Sequence, residues 1–235
     1  MEKSSLGDRM KAYEDVPRIG LTKRMPLIIR LDGVAFHSYT RGFEKPLDMK
    51  IVNASVEAMK ALIKRVQGAK LIYAQSDEIS ILVNDYENFD TQPWFDKSLQ
   101  KIVSVSAATA TAYFNRYMWN VVGVSEKKVA LFDSRAFVLP KEEVCNYFWW
   151  RELDAERNSV SSLAQANFSA KTLHKKSASQ MRGMLFDEKG INWDTLSTLQ
   201  KRGWCVLQGD VVDFEIPRFN ESRDYIDKHL AQIEE

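Results

Sequence analysis

One short run that ends in an aspartate and a glycine constrains this chain more than any other stretch. In Pro26-Leu-Ile-Ile-Arg-Leu-Asp-Gly-Val-Ala-Phe-His37, the residues Leu27, Ile28, Ile29 and Leu31 read as a buried strand, and Asp32-Gly33 is the turn signal that stops it. Two further apolar runs, Lys70 to Gln75 and Ile79 to Val83, flank a second acidic site, Ser76-Asp77-Glu78. Between the first strand and these runs, Ile51, Val52, Val56, Met59, Leu62, Ile63 and Val66 recur at three- and four-residue steps, the period of a helix. A right-handed crossover through that helix makes the first and second strands parallel, and a third strand folding back between them places its start beside the end of the first. Asp32 and Asp77-Glu78 then meet at one edge of a sheet.

Paired carboxylates repel and raise one another's pKa unless a cation lies between them. Magnesium suits such a pair, because it takes oxygen ligands, keeps several waters and shares its shell with substrate phosphates. Two such ions would give the scheme used by polymerases, one activating an attacking oxygen and the other steadying the leaving pyrophosphate. The competing reading is an acidic hairpin that is merely solvated. Free amides of Gly33 to His37 after the glycine turn form a candidate anion nest, and Lys45 would add a point charge to it or else stand solvated in its loop.

Further along, Asp48 is placed to cap the helix that starts at Met49. Phe95 to Met118 reads as a long helix with small residues on one side, and Lys128 to Leu139 as a fourth strand ended by Pro140. The series β-α-β-β-α-β predicts an α+β fold, a ferredoxin-like antiparallel sheet with helices on one face, as in polymerase palms, nucleotide cyclases and small RNA-binding modules. Residues 1–140 are expected to form a palm-like catalytic domain, and residues 141–235 a helical and hairpin extension packed on it. Within the extension, Glu142 to about Ala166 and Lys171 to Met184 read as helices, residues 203–216 as a hairpin through Gln208-Gly-Asp210, and Arg223 to Ile233 as a terminal helix. The aromatic cluster Tyr147-Phe-Trp-Trp150 fits core or subunit contacts better than RNA stacking, and Lys171, His174, Lys175, Lys176 and Arg182 are better placed for phosphate contacts.

Composition narrows the class without choosing the function. A chain of 235 residues with 45% hydrophobic and 28% charged content can bury a sizeable core. Its net charge of +1 means that any RNA-binding surface must be local. Cys145 and Cys205 have no metal-ligand spacing and no disulfide framework, and no segment has the length of a membrane span or the apolar core of a leader. The expected setting is cytoplasmic, with no membrane partner.

The chain resembles the tRNA-His guanylyltransferases and their like-proteins, polymerases that add nucleotides in the reverse, 3′ to 5′, direction. The matching stretches are Arg30-Leu-Asp-Gly-Val-Ala-Phe-His37, Gly42-Phe-Glu-Lys-Pro46, Ser76-Asp-Glu78, Phe132-Asp-Ser-Arg135, Trp150-Arg-Glu-Leu-Asp154 and Lys201-Arg-Gly-Trp-Cys205. The resemblance implies two Mg²⁺ ions held by Asp32, Asp77 and the Gly33 carbonyl, with Glu78 as a further catalytic carboxylate. It implies a nucleotide site made by Asp32, Gly33, Val34, Ala35, Phe36, His37, Lys45, Ser76 and Asp77. Arg30, Lys101 and Arg135 would steer an RNA 5′-phosphate or a second triphosphate. ATP, GTP or other nucleoside triphosphates would be substrates with tRNA, and the assembly would be a homotetramer.

One departure separates this chain from the eukaryotic guanylyltransferases. Where that branch carries His-x-Asn-Asn, this chain reads Glu156-Arg-Asn-Ser159. It is therefore more similar to the template-dependent branch, which repairs 5′-truncated tRNAs. The alternatives are a nucleotide cyclase on the same palm and a non-catalytic RNA-binding module. The second leaves paired acids at the site edge, where they would repel phosphate, without an explanation.

Overall fold

The first strand, β1 (Leu27–Val34), lies inside a six-stranded antiparallel sheet whose order is β4-β1-β3-β2-β5-β6. This computed structural model describes residues 5–88 and 90–230. In chain order the elements are α1 (Leu6–Asp15), β1, α2 (Phe36–Tyr39), α3 (Met49–Arg65), β2 (Ala69–Gln75), β3 (Glu78–Val83), α4 (Leu99–Tyr117) and β4 (Leu131–Val138). They continue as α5 (Lys141–Asn167), α6 (Ala170–Leu173), α7 (Ala178–Lys189), α8 (Thr198–Arg202), β5 (Trp204–Leu207), β6 (Val211–Asp213) and α9 (Asp224–Asp227). No helix among the described residues is long and apolar enough to cross a membrane.

As expected, β3 folds back between β1 and β2, pairing Leu31 with Ile79 on one side and Gln75 with Glu78 on the other. Helix α3 begins where expected, with the Asp48 side chain accepting from the Lys50 amide. It buries Ile51, Val52, Val56, Met59, Leu62 and Ile63 against one face of the sheet. Each fully buried aliphatic side chain of this kind contributes about 2 kcal/mol. Alongside it, α4 presents Ile102, Ala110 and Phe114 to the same core, and Asn115 pins the approach to β4 by bonding both the amide and the carbonyl of Ala130.

The helices α3 and α4 lie on one face of the sheet, as expected, and the opposite face is covered by a helix of the C-terminal extension. Long helix α5 crosses the opposite face, where Val144, Cys145, Tyr147 and Phe148 pack on Ile28, Leu71, Tyr73 and Leu82. Strand alternation is the reason: β1 turns Leu27, Ile29 and Leu31 toward α3 and α4, and Ile28 toward α5. The expected hairpin extends the sheet, with β5 pairing β2 from Leu71–Leu207 to Ala74–Trp204.

Other boundaries shift for local reasons. The helix expected from Phe95 starts at Leu99, because Phe95, Asp96 and Lys97 all take left-handed backbone with φ of 50°, 51° and 60°. The helix expected over Lys171 to Met184 is two helices. Lys175 is left-handed at φ 59°, and Ser177 starts α7 with a capping box to Gln180. Terminal helix α9 spans four residues, and the expected end at Ile233 lies outside the described residues.

Below the end of β1, Phe114 stacks edge-on against Phe36, Tyr39 and Phe132, with ring centroids 5.6, 5.8 and 5.4 Å away. This aromatic cluster supports the turn that follows Gly33. Phe114→Ala should therefore lower unfolding stability by about 3–5 kcal/mol in chemical denaturation. A change below about 1 kcal/mol would show that the cluster is not a supporting core.

Candidate active site

At the top of β1, Gly33 occupies a position that no side chain can share. A Cβ built there lies 2.5 Å from the Phe36 ring and 2.9 Å from Asp77 Cβ. Asp77 sits in the two-residue turn between β2 and β3, where Ser76 is left-handed at φ 52° and its hydroxyl donates to Asp77 Oδ1 at 3.0 Å. Burial raises the Asp77 pKa, the Asp32 charge raises it further, and the Ser76 hydrogen bond offsets part of the rise. The carboxylates of residues 32 and 77, expected to converge, are therefore electrostatic neighbours.

This donor set fits a hard divalent cation. Asp32, Asp77 and the Gly33 carbonyl offer oxygen only, and a cation would relieve the repulsion recorded at Asp77. Among the described residues no group of three or more acidic, His or Cys side chains forms a ready cage. Magnesium, which completes its shell with water and phosphate, suits such a sparse set better than a metal needing a full protein cage.

Glu78 begins β3 and turns toward α5. Arg151 Nε donates to its Oε1 at 2.7 Å, and the Arg151 guanidinium also reaches Asp154 Oδ2 at 2.6 Å. Both partners of the Glu78–Arg151 pair are buried. Burial raises the Glu78 pKa, opposed by Arg151. Asp154 behaves differently: against the cost of its burial, Arg151 and Arg157 hold its carboxyl below the ordinary value.

On the same face, Arg30 of β1 is the direct cross-strand partner of Arg135 of β4, and Asp32 is the partner of Asp133. Directly opposed residues share a face, so the two arginines stand side by side and a third carboxylate flanks Asp32. Arg135 bonds Asp133 at 3.2 Å. Lys101 is not brought to them. It lies on α4, across the sheet, with its ammonium 6.0 Å from the Phe95 ring centroid.

A cavity of about 630 Å³ opens beside the turn and is lined by Gly33, Ala35, Phe36, His37, Lys45, Ser76 and Asp77 among others. Asp32, Val34 and Glu78 lie outside its lining, and Val34 is exposed. None of the residues of its far wall was placed in the site from the sequence: Asn158, Ser159, Ser162 and Gln165 come from α5, and Lys201 from α8. The Arg-Asn-Ser run at 157–159, where the sequence departs from the eukaryotic branch, was the available signal. Gly203, at φ 87°, lets the chain enter β5 past the Ala74 carbonyl, which a Cβ would approach to 2.1 Å. The basic set is split, since Arg182 is engaged by Asp194 at 2.6 Å and by the Trp193 ring.

Two outcomes follow from this geometry. Gly33→Ala should displace Phe36 or Asp77 and reduce turnover by about 100-fold; full activity, with the fold intact by circular dichroism, would contradict it. Arg151→Met should leave Glu78 buried without its partner and destabilise by about 3–5 kcal/mol, whereas removing both charges together should cost less. Thermal or denaturant melts of the single and double variants measure the difference.

Comparison with known proteins agrees with this architecture. The family model described as tRNAHis guanylyltransferase matches residues 7–140. A tRNA(His) guanylyltransferase of Debaryomyces hansenii is 28% identical over 200 residues, covering 77% of this chain and 73% of that protein. Among solved structures, a bacterial tRNA(His) guanylyltransferase-like protein in complex with ATP is 47% identical with a TM-score of 0.93, covering 97% of this chain and 100% of that one. A bacterial like-protein in complex with GTP is 43% identical with a TM-score of 0.81, covering 96% and 99%. The Saccharomyces cerevisiae tRNA(His) guanylyltransferase shares the fold, with a TM-score of 0.74 at 19% identity over 88% of this chain and 95% of that one. The chain belongs to the tRNAHis guanylyltransferase family and is a nucleotidyltransferase.

Proposed function

We propose that this protein adds nucleotides in the 3′ to 5′ direction to the 5′ end of tRNA, or of 5′-truncated tRNA, directed by the opposing strand. In the first step a 5′-monophosphate oxygen of the RNA attacks the α-phosphorus of ATP or GTP, forming a 5′-nucleotidylated RNA and releasing pyrophosphate. In the second, the 3′-hydroxyl of an incoming nucleotide attacks that activated 5′ phosphorus, and the activating nucleoside monophosphate leaves.

The observation that carries this reading is the juxtaposition of Asp77 with the Asp32-Gly33 turn at the mouth of a cavity of nucleotide size. Asp32, Asp77 and the Gly33 carbonyl would hold two magnesium ions. When bound, those ions supply the charge that activates the attacking oxygen and steadies the leaving group. The turn from Gly33 to His37, with Lys45 and Ser76, binds the triphosphate, and Arg30 with Arg135 receives the RNA 5′-phosphate or a second triphosphate. Glu78, tied to Arg151, is a supporting carboxylate at the edge of that site. Lys101 would have to reach the same site by another route than this face of the sheet.

The β4-β1-β3-β2 order supports a ferredoxin-like palm over residues 1–140, with residues 141–235 as the extension that walls the nucleotide cavity. Template-directed repair is favoured over strict guanosine addition by Glu156-Arg-Asn-Ser159 and by the 47% identity with a bacterial like-protein bound to ATP. A homotetramer in the cytoplasm completes the reading.

Asp32→Ala and Asp77→Ala should each reduce nucleotide addition by at least about 1000-fold while RNA affinity stays within a few-fold of wild type. Retained turnover in either variant contradicts the assignment. A 5′-truncated, 5′-monophosphorylated tRNA offered each nucleoside triphosphate separately should gain the nucleotide complementary to the opposing base. Addition of guanosine alone, whatever the template, would replace repair with a fixed specificity.

A further inference from the structure

The aromatic cluster on α5 divides in the fold in a way that the core does not explain. Tyr147 and Phe148 are buried beneath the helix, but Trp150 is 49% exposed and Leu153, one turn on, is 40% exposed. Trp150 is nonetheless held firmly: the Arg151 guanidinium lies 4.3 Å from its ring centroid, and the Tyr147 ring packs edge-on 6.0 Å away. Arg151 is itself anchored by Glu78 and Asp154. The indole is thus a rigid aromatic surface with one side supported and half of its area open to solvent.

Its position relates it to the paired arginines. The Tyr147 hydroxyl is 2.8 Å from Ser80 Oγ, Ser80 is the cross-strand partner of Arg30, and Arg30 is the partner of Arg135. The Tyr147 ring also packs 5.6 Å from Phe137 of β4, two residues beyond Arg135. Trp150 follows Tyr147 by one helical turn in the direction of Arg151, which reaches Glu78 beside the carboxylates. Arg30 Nε is buried there with no hydrogen-bond partner. A phosphate-seeking pair therefore adjoins an open aromatic face, the combination that single-stranded and terminal nucleotides use.

Resting on the function proposed above, we propose that Trp150 stacks on the base of the RNA's 5′-terminal nucleotide, whose phosphate Arg30 and Arg135 receive. Stacking is indifferent to base identity, because every base has a π face. An enzyme that repairs ends truncated at different positions meets a different terminal base each time. A tryptophan platform holds all of them, where a hydrogen-bonding pocket would select one. Trp150 is a positioning residue in this account and takes no part in bond making.

The test uses the full-length protein and a 5′-monophosphorylated acceptor-stem hairpin with 2-aminopurine as its terminal base, without nucleoside triphosphate. Wild type should quench the fluorescence on binding. Trp150→Leu should abolish the quench and weaken affinity about tenfold, Trp150→Phe should keep most of both, and the KM for ATP in 5′-activation should be unchanged in each. Quench and affinity retained in Trp150→Leu would overturn the proposal, as would an equal loss in Trp150→Phe. A changed subunit stoichiometry in Trp150→Leu by light scattering would overturn it too, assigning the indole to an interface. Because binding is read without turnover, stacking by a protein that adds no nucleotide would refute the proposed function and leave this inference standing.

Discussion

The arrangement of the site depends on one topological constraint, the insertion of β3 antiparallel between β1 and β2. That insertion brings the turn at residues 76 and 77 against the end of β1, where a Cβ on Gly33 would already collide with Asp77. Folding therefore forces two carboxylates into proximity, a cost that a polypeptide without use for a cation would have no reason to bear. The cost is met by the rest of the sheet. Leu27, Ile29, Leu31, Ile79 and Ile81 are all buried in the core under α3 and α4, so the register cannot slip to separate the acids without exposing that face.

Charge on the other face is handled by pairing. Glu78, Arg151 and Asp154 form a chain of close contacts at 2.7 and 2.6 Å, and the Glu152–Arg202 pair at 2.8 Å ties α5 to α8. Such pairs contribute little net stability compared with apolar replacements, but breaking one side is expensive. Their value here is orientation: they hold α5 so that Asn158, Ser159, Ser162 and Gln165 form one wall of the cavity while Trp150 packs against Arg151 and Tyr147. In the proposed reading, one helix would thus serve both the nucleotide side and the RNA side of the site.

Much of this was legible in the sequence where local signals coincided with tertiary demands. The helical period from Ile51 to Val66 and the cap at Asp48 located α3, and the apolar runs around Ser76-Asp77-Glu78 located the hairpin, because these patterns describe which face each element buries. From them alone the meeting of residues 32 and 77 could be expected. The far wall could not be read, since Ser162 and Gln165 carry no spacing that marks a site, and Asn158 and Lys201, which lie in stretches that the resemblance singles out, reach it only through the crossing of α5 and the addition of β5 beside β2. Glu78 shows the same limit: adjacent to Asp77 in sequence, it pairs with an arginine 73 positions away. Lys101 illustrates the reverse, since its place on α4 puts it across the sheet from Arg30 and Arg135.

Thermal unfolding titrated with magnesium tests most directly whether the paired acids are built for a cation. Wild type should melt at progressively higher temperature as Mg²⁺ rises through the millimolar range, because a ligand bound only by the folded state stabilises it. Asp77→Asn, relieved of one charge, should melt above wild type in chelator and gain little from Mg²⁺. Equal responses of the two proteins, or a melting temperature of wild type that ignores Mg²⁺, would contradict the account.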